Sequence, residues 1–130
     1  MNQMNKPRIA VIHPNSLCGI AMRTILADIA PFVCMLQQID IVCYSSMEDF
    51  LQDDPHLAFH CFVSNSILNE NSEYFASQAR RCIVLREGEE QVMEGFHSIN
   101  LYGSERDMIK SLLLLFNNAH MAHGMKHHPQ

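Results

Sequence analysis

The chain has 130 residues, 48% hydrophobic and 18% charged, enough for one domain that buries roughly two-thirds of the surface its unfolded chain exposes. Nine Lys and Arg stand against fourteen Asp and Glu, a net charge of −5 with neutral histidine, which excludes a uniformly basic surface for gripping a nucleic-acid duplex. The longest apolar runs, such as Leu112 to Phe116, are five residues, far short of the roughly 20 residues of a membrane span, and MNQMNKPR holds no apolar signal segment, so a soluble cytoplasmic protein with no membrane partner is expected.

In chain order, Arg8 to His13 (RIAVIH) is short, apolar and rich in β-branched residues, which predicts a strand; Pro14-Asn15-Ser16 supplies turn and cap chemistry after it. The helix that follows carries Leu17, Ile20, Ala21, Ile25 and Ile29 at helical spacing and ends by Pro31. Ile39 to Tyr44 reads as a second strand, and Ser45-Ser46 caps a short helix from Met47 to about Leu51. Ala58 to Ser64 is a third strand, followed by a polar segment to Ser72 and a short helix over Glu73 to Arg80. Cys82 to Leu85 is a fourth strand, Glu87 to Glu94 an acidic helix, and Ser98 to Tyr102 a fifth strand. Ser104, with Asp107 three residues on, opens the last helix in the manner of a capping box.

Strands and helices alternating at about 23 residues per unit predict a parallel sheet covered on both faces. The runs IAVI, CFV and CIVL are apolar on both strand faces, as such a sheet requires. The expected fold class is therefore α/β, a flavodoxin-like (βα)5 three-layer sandwich with five parallel strands. Residues 1–119 would form the domain, and 120–130, with four of the eight histidines, a histidine-rich linker or tail.

The opening KPRIAVIHPNSLCGIAMRTIL, the five βα units and a last helix running into a polar linker resemble the receiver domains of bacterial two-component response regulators, in particular those of the NarL/LuxR type. The resemblance covers about Lys6 to Asn117 and implies a CheY-like fold. In that family the first strand ends in an acidic pair, the third in the Asp that is phosphorylated, the fourth in Thr or Ser, and the fifth in Lys. Here those positions fall on His13 and Pro14, on Ser64, near Arg86, and near Tyr102 or Gly103. Neither His13 nor Pro14 offers the hard anionic oxygen that Mg²⁺ prefers. No carboxylate occurs between Asp54 and Glu70, so a one- or two-residue shift of the acceptor offers only Val63, Asn65 or Ser66. The resemblance thus implies a degenerate receiver, or pseudo-receiver, with no metal, no cofactor and no enzymatic activity, working without phosphorylation.

Other candidates are weaker. The loop His13 to Gly19 lies where doubly wound folds bind phosphates, but the chain has no G-x-G-x-x-G or P-loop motif. His120, His123 and His127 would share a face of a continuous helix and could take a soft divalent metal, against which Gly124 and Pro129 argue. The five cysteines, Cys18, Cys34, Cys43, Cys61 and Cys82, are spread without a C-x-x-C pair and read as reduced thiols. Arg80 and Arg81 could favour a Cys82 thiolate, whereas burial in a strand would raise its pKa. His60 and Cys61, adjacent in a strand, point to opposite faces and cannot act as a base and nucleophile pair.

In the last helix, Ile109, Leu112, Leu113 and Phe116 form a core-facing stripe. Leu114 and Leu115 cannot join it; with Met108 and Met121 they make a second apolar surface, an expected interface and most simply a homodimer. The expected role is the regulatory and dimerisation half of a LuxR-type transcription regulator, reaching DNA only through a helix-turn-helix beyond Gln130. The alternatives are a small flavodoxin-like ligand-binding protein, with its site near Asn15, Ser64 and Arg86, and a stand-alone protein-binding adaptor.

Overall fold

A computed structural model describes residues 8–33, 40–53, 55 and 58–125, the side chains of 58, 59 and 117–125 excepted. Cys34, His127 and the segment 126–130 of the expected tail lie outside the described residues. Five short segments become strands: Arg8–Ile12 (β1), Asp40–Tyr44 (β2), Ala58–Ser64 (β3), Cys82–Arg86 (β4) and His97–Asn100 (β5). They pair in parallel in the order β2-β1-β3-β4-β5, the flavodoxin-like order, so the chain folds as the expected flavodoxin-like α/β sandwich.

Successive strand residues point to opposite faces, and each face has its own core. Ile9, Val11, Phe62, Ile83, Leu85 and Ile99 face one way, against Met22, Ile25, Leu26 and Ile29 of the helix Ser16–Ile29 (α1) and Leu112 and Phe116 of the helix Glu105–Met125 (α5). Ala10, Ile12, Cys61, Val63, Cys82 and Val84 face the other, against Phe50 of Met47–Gln52 (α2), Ile67 and Leu68 of Asn65–Glu70 (α3), and Phe75 of Ser72–Phe75 (α4). Each of these large side chains contributes about 1.5–3 kcal/mol by leaving water, which holds the layers together.

Four local expectations are corrected. Leu17 (73% exposed), Ile20 and Ala21 face outward on α1, because the stripe that meets the sheet is Met22, Ile25, Leu26 and Ile29, spaced i, i+3, i+4 and i+7. The polar segment after β3 is itself helical: Ser64 Oγ accepts from the Ile67 amide at 3.2 Å and starts α3, while the expected helix over 73–80 is only the single turn of α4 followed by a 3₁₀ turn, Ala79–Arg81. No helix forms over 87–94. Glu90 and Glu94 would repel at i, i+4, and Gly88 and Gly95 take φ of 72° and 95°, so β4 and β5 are joined by an irregular loop. Finally, α5 runs through Gly124 to Met125, where a break in the helix was expected. Its start is as anticipated, Ser104 Oγ accepting from the Asp107 amide at 3.0 Å with Glu105 and Asp107 in the positively polarised first turn.

No helix among the described residues is long and apolar enough to cross a membrane.

Candidate functional site

In a parallel sheet every strand ends on the same edge, and the crevice opens where neighbouring connections leave in opposite directions, here between β1 and β3. A cleft of about 450 Å³ lies there, lined by His13, Pro14 and Asn15 after β1, Ser64, Asn65 and Ser66 at the end of β3, and Leu85, Glu87 and Glu90 after β4.

His13 is 4% exposed and fixed from both ring nitrogens. The Asn15 amide donates to Nδ1 at 3.0 Å, which leaves the ring proton on Nε2, and Nε2 donates to Glu87 Oε2 at 3.2 Å. Asn15 also caps α1, its Oδ1 accepting from the Leu17 amide at 3.0 Å. Glu87 is steadied in turn: its amide donates to Glu90 Oε1 at 2.9 Å. Ser64, 4% exposed, is committed to the α3 cap and lies 3.3 Å from Ser66 Oγ. Asn65 donates through Nδ2 to the Gln91 carbonyl at 3.0 Å, while its buried Oδ1 has no hydrogen-bond partner.

His13, Pro14 and Ser64 are therefore brought together, whereas Arg86 and Tyr102 do not line the cleft. The Arg86 guanidinium donates to the Gly88 carbonyl, and Tyr102 is exposed with its ring close over Gly88. The charged side chains of the cleft are instead Glu87 and Glu90, one and four residues past the position singled out, and Cys18, in the first turn of α1, lies beside His13 and Glu87. Sequence reasoning passed over these residues because it placed a helix on 87–94; His13 and Cys18, five apart across a strand-to-helix turn, were the available signal.

No protein-family model matches the chain, and no curated protein matches it. Among solved structures, a response regulator receiver protein from Pseudoalteromonas atlantica superposes with a TM-score of 0.56 at 15% identity, over 87% of this chain and 99% of that one. The fold is receiver-like.

The residues of this cleft do not suit Mg²⁺. That ion takes oxygen ligands in near-octahedral array, and the cleft offers two carboxylates already engaged with His13 and with a backbone amide, beside an imidazole.

The remaining candidates fall elsewhere. On α5, Leu114 is 59% exposed, Met108 and Leu115 are half-buried against the first core, and the side chains of Met121, His120 and His123 lie outside the described residues. Cys61 and Cys82 face each other across β3 and β4, both buried; hydrogen bonding with Cys61 and burial push the Cys82 thiol up, so it stays protonated. His60 stands on the opposite face from Cys61, its ring edge-on to Phe116 at 5.9 Å between centroids.

Proposed function

We propose that the chain is a regulatory, pseudo-receiver domain of a NarL/LuxR-type transcription regulator, which works without phosphorylation and acts by self-association. The observation that carries this is the combination of a receiver-like fold with Ser64, a helix cap, at the end of β3, where a receiver places its acceptor carboxylate. A hydroxyl cannot form the acyl phosphate that a carboxylate takes from phosphohistidine, and His13 and Pro14 are no substitute for an acidic pair. Glu87 and Glu90 follow β4, and their carboxylates are engaged with His13 and with the Glu87 amide, so they do not restore it. Contact with DNA would belong to a helix-turn-helix outside these residues, and homodimerisation would bring two such modules to adjacent half-sites. The domain would then act in the cytoplasm, without catalysis.

Intact-mass spectrometry after incubation with acetyl phosphate and Mg²⁺ tests this. The expected result is an unmodified mass; a stable phosphoryl adduct at a carboxylate overturns it. A ligand-binding role is the second reading, favoured by the cleft of about 450 Å³ and the unpartnered Asn65 Oδ1 within it. A protein-binding adaptor of the same fold would use the α5 surface without any DNA-binding module.

A further inference from the structure

Two residues that line the cleft, His13 and Glu87, meet Cys18 of α1, and the metal-binding atoms of all three lie within 4.8 Å of one another. They come from three places that the fold alone unites: the end of β1, the first turn of α1 and the residue after β4. Imidazole nitrogen, thiolate sulfur and carboxylate oxygen are the ligand types of Zn²⁺, bound at about 2.0–2.3 Å in a tetrahedron whose N–O edge is roughly 3.4 Å. The His13 Nε2 to Glu87 Oε2 separation is already 3.2 Å, so those two atoms need hardly move to admit an ion between them. One thiolate and one carboxylate also match the charge of a divalent cation.

We propose that His13, Cys18 and Glu87 bind one Zn²⁺-class divalent cation, with the fourth coordination position open to the cleft. On binding, the Cys18 thiol proton leaves to solvent and the sulfur–metal bond forms. Nε2 of His13 gives its lone pair to the metal, so the ring proton moves to Nδ1 and the Asn15 amide gives up its bond there. That adjustment is local, since Pro14, Asn15 and Ser16 are exposed. Asn65, 6% exposed with its Oδ1 unpartnered, lines the same cleft and offers an acceptor for a proton of water in the fourth position. The site is independent of whether the domain is phosphorylated or dimeric.

Titration of the whole chain with Co²⁺, in a phosphine reductant that keeps the thiols free, tests the proposal. One equivalent should bind, with a sulfur-to-cobalt charge-transfer band in the near ultraviolet and the strong visible bands of a tetrahedral ion. Cys18→Ser and Cys18→Ala should both abolish the charge-transfer band and weaken binding by more than the roughly 10–100-fold that loss of an outer-shell partner causes. Cys18 is only half-buried, and thermal melts of the metal-free variants establish that they fold. A chain with His120, His123, His127 and His128 all changed to Asn should keep the band and its affinity. Absence of the band, its survival in Cys18→Ser, or its loss in the tail variant overturns the proposal.

Discussion

Ser64 lines the cleft at the end of β3 and does structural work there. Its Oγ satisfies the Ile67 amide, one of the donors that a helix start leaves without an intrahelical partner, in a site closed to water. Ser64→Ala should therefore destabilise the domain by about 1 kcal/mol, lowering Tm by about 4 °C, and Ser64→Thr, which keeps the oxygen, should restore most of that. Equal melting of Ser64→Ala and the parent would show that the cap is not needed. His60 gives the residue-scale pH dependence. Burial against Phe116 pushes its pKa below the ordinary 6.5, the bond to the Arg81 backbone opposes this, and the Arg81 charge adds to it. The unfolded chain thus takes the proton first as pH falls. Stability from neutral His60 is fully present above about pH 6.5 and is lost as pH drops from there towards the depressed native value, at no more than about 1.4 kcal/mol per pH unit. The fall in Tm between about pH 7.5 and about pH 5.5 should accordingly be smaller in His60→Gln than in the parent; equal falls would mean that His60 does not titrate on unfolding.

At the scale of elements, what was legible in the sequence is what period and punctuation encode. The strand cores RIAVI, FVS and CIVL, the stop at Pro31 and the Ser104 cap were read directly, because β-branched runs, a proline and a serine act through local sterics and hydrogen bonds. The loop between β4 and β5 was not, since periodicity does not reveal its two positive-φ glycines or the side chains at its ends that hold it. Asn100 Oδ1 accepts from both the Gly88 and Tyr102 amides at 3.0 Å, and Arg86 holds the Gly88 carbonyl. The candidate site suffers from the same blindness: Glu87 reaches His13 only because the loop replaces a helix. Gly88 sits at φ 72°, and a Cβ there would come within 3.2 Å of the Tyr102 ring. Gly88→Ala should destabilise by about 1 kcal/mol or more through the left-handed backbone alone. Chemical denaturation should show a lower midpoint with an unchanged slope; a midpoint at or above the parent's would mean that the loop relaxes without loss.

For the whole molecule, the question is which surface remains unspent after both faces of the sheet are covered. On α5 the inward positions are used: Leu112 is completely buried and Phe116 nearly so, with Ile109, Leu113, Met108 and Leu115 packed at their margin. Leu114 is left 59% exposed, on the helix where self-association is proposed. If two copies meet there, each dimer buries two Leu114 side chains, each contributing up to about 1.5–3 kcal/mol, so Leu114→Lys should weaken the dimer by at least about tenfold through lost burial and like-charge repulsion. The same change should leave monomer stability within about 0.5 kcal/mol, as an exposed position allows, whereas Leu112→Ala should cost about 2–5 kcal/mol of folding stability by opening the core. Sedimentation equilibrium over a wide concentration range, beside thermal melts of both variants, separates interface from core. A parent chain that stays monomeric throughout, or a Leu114→Lys chain that dimerises as the parent does, would remove α5 as the interface and with it the route by which this domain is proposed to act.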